Sequence, residues 1–145
     1  MHARHVRAAI LAVAAVLSLT LGYCSQAHAQ IPQAAQKHRG QLVRTAHAVW
    51  GLDAPIAVFA AQVHQESAWK PEAVSRVGAR GLAQFMPGTA TWWCERIGLG
   101  TSECQPHNPT WALRALVGYD KYLYGLTPSR YSRYDRMWVA LRGYN

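Results

Sequence analysis

Ile56-Ala57-Val58-Phe59-Ala60-Ala61-Gln62-Val63 is a run with no strand alternation and no helix breaker. It continues into Glu66-Ser67, and Pro71 ends it. The spacing predicts an apolar helix carrying one acid, Glu66, near its C-terminal end. Asp53 before it reads as an N-cap, with Pro55 in the first turn. A glutamate at a helix end is usually solvated. Here Ala60, Ala61 and Val63 precede it and Ala68 and Trp69 follow it, which implies partial burial. The negative end of the helix dipole and the loss of water both disfavour the charged carboxylate. Glu66 is therefore expected to hold its proton toward neutral pH, as a general acid must.

Outward from this segment the helical pattern repeats. Gln33 to Trp50 reads as a helix with Leu42, Val43, Ala46, Val49 and Trp50 on one side, stopped by Gly51. Residues 75 to 88 form a glycine-punctuated turn region. Thr89 is placed as the cap of a helix reaching Ile97, ended by Gly98. Asn108-Pro109 opens a helix from about Thr110 to Tyr124, ended by Gly125. Pro128-Ser129 leads into a last helix from about Tyr131 to Arg142. The expectation is an all-α domain of about five short helices, without repeats or low-complexity linkers.

The chain has 145 residues, 15 Lys plus Arg, 7 Asp plus Glu and 3 Cys. Residues 1–29 read as a secretory signal peptide: Arg4 and Arg7, an apolar run from Ala8 to Leu21, then Ala27-His28-Ala29 before Gln30. The run is shorter than the roughly 20 apolar residues that span a bilayer. A lipid anchor on Cys24 is the weaker reading, because Tyr23 is a poor residue before a lipid-bearing cysteine. Residues 30–145 then form one domain, with 13 basic against 7 acidic residues. Such a charge suits an anionic partner: wall polymer, anionic lipid or nucleic acid. The basic residues are scattered, and no nucleic-acid motif is present. The expected contact with a membrane is through the signal peptide only. Loss of Cys24 leaves Cys94 and Cys104, which are expected to pair in an oxidising compartment. With only His107 nearby they make an incomplete metal-ligand set, so no metal and no cofactor is expected.

Six Trp and seven Tyr are many for this length. Trp69, Trp92, Trp93, Trp111 and Trp138 can pack the core or stack on sugar rings, and both readings stay open. Most glycosidases use two carboxylates. Among the other acids, Asp120 and Asp135 lie on helices among Tyr and Arg and are expected to be surface ion-pair partners. A mechanism with a single acid is the simpler reading.

Glu66-Ser67, Ala73-Val74-Ser75 and Gly78-Ala79-Arg80-Gly81-Leu82-Ala83-Gln84-Phe85-Met86-Pro87 together resemble the catalytic signature of the soluble lytic transglycosylase (SLT) family, in the goose-type lysozyme superfamily. The resemblance implies a lysozyme-like helical domain that cleaves peptidoglycan, the sugar polymer of the bacterial wall. It implies Glu66 as acid and base, Ser67 as an orienting partner, and Gly78, Gly81, Leu82 and Gln84 as the family's glycine turn. Gln84 would offer its amide to substrate. Ala83 stands where methionine is common in the family. Ala140-Leu141-Arg142-Gly143-Tyr144-Asn145 is similar to a third element, whose Tyr144 would hydrogen-bond the catalytic carboxyl with Asn145 beside it. The family's chains continue past this point, so the expected domain lacks the C-terminal helices. The implied reaction forms 1,6-anhydro-N-acetylmuramic acid without consuming water. The rival readings are a muramidase-type hydrolase and a truncated, non-catalytic wall-binding module. The implied setting is the periplasm or cell envelope, with wall recycling, secretion, conjugation and phage machinery all open.

Overall fold

The computed structural model describes residues 31–144. The expected signal peptide and Asn145 lie outside the described residues. Five α-helices make up the domain: α1 (Gln33–Trp50), α2 (Ile56–Ser67), α3 (Pro87–Arg96), α4 (Pro109–Leu126) and α5 (Arg133–Tyr144). A short 3₁₀ turn, Thr101–Glu103, separates α3 from α4. The expected all-α class is what is observed. Among the described residues, β pairing is confined to isolated bridges in the glycine turn, Val74 with Arg80 and Arg80 with Phe85. No described helix is long and apolar enough to cross a membrane.

Helix α4 is the centre of the domain. It packs against α1 on one side and α5 on another, and α1 also packs on α2. Its buried stripe follows the helical period through Leu113, Leu116 and Val117. Phe59 and Val63 of α2, Leu42 of α1, and Leu82 and Phe85 of the glycine turn complete the core. The Trp50 indole donates to the Val117 carbonyl at 2.9 Å, tying the end of α1 to the middle of α4. Gly118 lies against the Trp93 ring, so close that a Cβ there would sit 2.9 Å from a ring carbon.

Several local expectations change in the structure. Asp53 does not cap α2. The helix begins at Ile56, and the Pro55 carbonyl accepts from Val58 and Phe59. Asp53 is two residues too early for its side chain to reach those free N–H groups, and it lies on the surface 4.0 Å from Arg133. Thr89 lies inside α3, because Pro87, pre-set for a first helical turn, starts that helix sooner. Gly125 does not end α4, which runs on to Leu126. Packing of α4 on two neighbours outweighs the roughly 1 kcal/mol cost of a helical glycine. Helix α5 begins at Arg133 because Ser132 caps it: the Asp135 N–H donates to the Ser132 hydroxyl (3.1 Å), which donates to the Asp135 carboxylate (2.6 Å). Asp135 is thus a capping residue, with no ion pair among the described residues. Asp120 departs most from expectation. It is fully buried, not a surface residue.

The tryptophans divide. Trp69 and Trp93 are buried, and Trp111 is half-buried against the Phe85 ring. Trp92 and Trp138 are exposed. Cys94 and Cys104 form the expected disulfide, with their Cα atoms 6.1 Å apart. Closing so short a loop is worth roughly 2–3 kcal/mol on the chain-entropy model. Thiol titration of the unfolded, unreduced protein is expected to find neither cysteine free. Cys94→Ala/Cys104→Ala is expected to lose about that stability in a urea titration.

Candidate functional site

Glu66 sits in the last turn of α2, on the face that also carries Gln62 one turn earlier. Phe59, Gln62, Val63 and Ser67 of this helix are buried, and Glu66 is half-buried at the edge of that stripe. Glu66 opens into a cavity of about 550 Å³ lined by Val58, Ala61, Gln62, Gln65 and Leu141. None of the five weighed tryptophans lines it. Burial against these largely apolar walls raises the Glu66 carboxyl above its ordinary value of 4.5.

The end of α2 is set by left-handed backbone at Ala68 (φ 49°) and Trp69 (φ 66°). The chain then enters the glycine turn, which folds under α2. The Ser67 hydroxyl is buried, 2.9 Å from the Leu82 carbonyl and 3.3 Å from the Val63 carbonyl. Ser67 therefore fastens the Glu66 turn of α2 to the glycine turn. Leu82 is fully buried in the core. The Gln84 amide group donates to the Gly81 carbonyl (2.9 Å) and the Ala73 carbonyl (3.2 Å). Both of its N–H donors are thus used within the turn, and its carbonyl oxygen is the part left to offer. Gln84 holds φ 48°, a conformation uncommon for a residue with a Cβ.

Gly81 is the tightest point. Its φ is 76°, and a Cβ added there would lie 1.7 Å from the Pro106 carbonyl oxygen. Gly78 has φ 89° but open space around it. The two glycines of the motif therefore answer different needs. Gly81 lets two backbones touch, and Gly78 only lets the chain turn.

Tyr144 reaches this region from the end of α5. Its hydroxyl donates to the Ala83 carbonyl at 2.7 Å, where the resemblance implied a bond to the catalytic carboxyl. Its ring packs edge-on against Phe85, at 5.5 Å between centroids. Burial raises the Tyr144 phenol well above its ordinary value, and the charges of Asp120 and Glu66 raise it further. Tyr144 thus stays a neutral phenol beside Glu66. Cys94 and Cys104 contribute no side chain to the cavity lining.

Sequence reasoning missed two residues of this neighbourhood, Asp120 and Gln62. Asp120 is buried in α4, and one carboxylate oxygen lies 3.4 Å from the Gln62 amide nitrogen. Burial lifts its pKa to about 7, the Gln62 amide opposes the shift, and the Glu66 charge adds to it. The signal was in the helical period. Asp120 follows Leu113, Leu116 and Val117 at seven, four and three residues, which places it on the core stripe.

A family model described as the Transglycosylase SLT domain matches residues 41–145. A membrane-bound lytic murein transglycosylase F from Maricaulis maris (strain MCS10) is 36% identical over 88 residues, covering 61% of this chain and 18% of that protein. The corresponding protein of Alcanivorax borkumensis is 32% identical over 88 residues, 61% of this chain and 17% of its own. The soluble lytic murein transglycosylase of Escherichia coli (strain K12) is 54% identical over 41 residues, 28% of this chain and 6% of that protein. The chain thus spans less than a fifth of the length of these relatives. The family match runs from within α1 to the last residue and takes in the Glu66 turn, the glycine turn and Tyr144, so this chain belongs to the transglycosylase SLT domain family.

Proposed function

We propose that this chain is a peptidoglycan lytic transglycosylase that uses Glu66 as its single acid and base. The observation that carries this reading is a half-buried carboxyl with raised proton affinity, at the end of an apolar helix and open to a cavity of about 550 Å³. A neutral carboxylic acid there can protonate the glycosidic oxygen between N-acetylmuramic acid and N-acetylglucosamine as the C1–O bond breaks. The substrate's own acetamido group assists departure, as in glycosidases that work with one enzyme carboxylate. The carboxylate so formed takes the proton of the C6 hydroxyl. That oxygen bonds to C1, closes the 1,6-anhydro ring and returns Glu66 to its acid form. No water is consumed.

In this reading Ser67 holds the Glu66 turn through the Leu82 carbonyl, Gly78 and Gly81 shape the motif turn, and the Gln84 carbonyl oxygen and Tyr144 are assigned to substrate binding. Asn145 stands next to Tyr144 in sequence and is placed with it in substrate binding. A water-activating second carboxylate would favour a hydrolase. The carboxyl that senses Glu66 is Asp120, and it is fully buried and cannot touch a sugar. Residues 1–29 serve as the export signal in this reading, and the substrate lies in the periplasm or cell envelope. The Cys94–Cys104 bridge supports an oxidising compartment.

Mass spectrometry of purified sacculi digested with the protein tests the reaction. Anhydromuropeptides are the expected product. Products with free reducing ends would make it a hydrolase. A protein folded by circular dichroism that binds sacculi and releases nothing would make it a wall-binding module.

A further inference from the structure

Two buried side chains beneath the Glu66 cavity leave atoms without a partner. The Asp120 Oδ2 and the Gln62 Oε1 are both buried and accept no hydrogen bond among the described residues. The other halves of the same two groups do meet, through the Gln62 Nε2 and the Asp120 Oδ1 at 3.4 Å. An ionised Asp120 explains neither orphan, because a carboxylate oxygen and an amide oxygen are both acceptors. One proton on Oδ2 resolves both at once. The acid O–H would then be free to donate to the Gln62 Oε1 while the Gln62 N–H donates to Oδ1, a ring of two hydrogen bonds of which the second is seen at 3.4 Å. Buried polar groups are seldom left unpaired, and a paired neutral acid costs far less to bury than a lone carboxylate.

We propose that Asp120 is a positioning residue for Glu66: held as a neutral acid, it locks Gln62 in a cyclic acid–amide pair and so fixes the cavity wall one helical turn before Glu66. The pair stands on its own geometry; its link to turnover rests on the reading of Glu66 as the catalytic acid. Gln62 lines the same cavity as Glu66 and lies four residues before it on α2, so an anchored Gln62 fixes the rotation of that turn.

Burial and the Glu66 charge favour the neutral form of Asp120, and the Gln62 N–H bond to Oδ1 opposes them. Asp120 senses the charge of Glu66 on α2, and Tyr144 of α5 and Tyr119 beside it on α4 sense the charge of Asp120. The nearby cations are engaged elsewhere. The Lys121 ammonium reaches the Val49 carbonyl at the end of α1, and Arg136 of α5 donates to the Tyr124 carbonyl with its guanidinium over the Tyr124 ring. The proton affinity of Asp120, raised to about 7 by burial, agrees with this arrangement.

The sign of the linkage is fixed. A carboxyl whose folded pKa is raised binds its proton more tightly in the folded chain. Its contribution to stability is complete below the ordinary value of 3.8 and is lost as pH rises to about 7. Asp120→Asn keeps both hydrogen bonds, with the amide N–H in place of the acid proton, but cannot ionise. The difference in Tm between Asp120→Asn and wild type is therefore expected to grow in favour of the variant across that window and level off above it. Carboxyl-carbon NMR of the wild type needs no variant. One of its three aspartate signals should titrate near 7 and be missing from Asp120→Asn.

On sacculi, Asp120→Ala is expected to lower kcat by roughly tenfold to a hundredfold with KM little changed, the cost of a misplaced catalytic group. Asp120→Asn should recover most of that loss. Parallel Tm curves, or an Asp120 signal that titrates in the ordinary aspartate range, would overturn the neutral pair. A folded Asp120→Ala protein with wild-type kcat would overturn the positioning role. Should no form of the protein release muropeptides, the NMR and Tm results still decide the pair, and the failure belongs to the proposed reaction.

Discussion

Release of muropeptides from sacculi is expected to fall by at least roughly 10²–10⁴-fold in Glu66→Gln, the usual contribution of one positioned proton transfer. In the proposed cycle the same carboxyl gives and then takes a proton, so the loss should sit at the upper end. Glutamine keeps the size and polarity of the side chain and removes only the ability to give up and take back an acid proton. The fold should therefore survive, and stability gives a control independent of activity. Burial raises the folded pKa of Glu66 above 4.5. Any stability linked to this group is complete below that ordinary value and declines as pH rises through the raised one. At neutral pH Glu66→Gln should thus melt no lower than wild type. The wild-type rate should fall on the alkaline side as Glu66 loses its proton. A Glu66→Gln protein that still releases anhydromuropeptides at the wild-type rate would remove Glu66 from the mechanism.

Gly81→Ala is expected to be the most damaging single-methyl change in the domain. The added Cβ would lie 1.7 Å from the Pro106 carbonyl oxygen and 2.6 Å from its carbon, and these are backbone atoms that cannot swing aside. The φ of 76° adds roughly 1–2 kcal/mol for any residue with a Cβ. The combined loss should reach about 4 kcal/mol or more, the range reserved for overpacked or strained sites. Gly78→Ala meets no atom within 4 Å and should cost only the conformational part, roughly 1–2 kcal/mol. Urea titrations of the two variants measure the contrast directly. Equal losses would mean that the loop carrying Pro106 yields, and that the contact with Gly81 is not a constraint.

The elements with strong period were legible. Gln33 to Trp50 and the helix bearing Glu66 were both placed from spacing and from breakers, because apolar faces and Gly51 or Pro71 act locally. Helix starts set by competing local groups were not. Asp53, Thr89 and Ser132 all have cap chemistry. Which of them caps depends on where the neighbouring proline or packing contact lets the first turn begin, and only Ser132 does so. Within the candidate site, the motif pointed to Glu66 and the glycine turn, but not to the bonds that Ser67, Gln84 and Tyr144 make. Those bonds go to the carbonyls of Leu82, Gly81, Ala73 and Ala83, backbone atoms brought together only by the tertiary fold. Asp120 was misjudged because its tyrosine neighbours were read by polarity. Its register on the Leu113–Leu116–Val117 stripe carried the better information.

Cys104 is two residues from Pro106, and Pro106 is the backbone that rests on Gly81. The bridge to α3 therefore anchors the loop that presses on the motif turn, although neither sulfur lines the Glu66 cavity. A thiol reductant should accordingly behave as an inhibitor acting at a distance. By freeing the 104–106 segment it would loosen the backbone contact at Gly81, and restoring the bridge should restore the proposed activity.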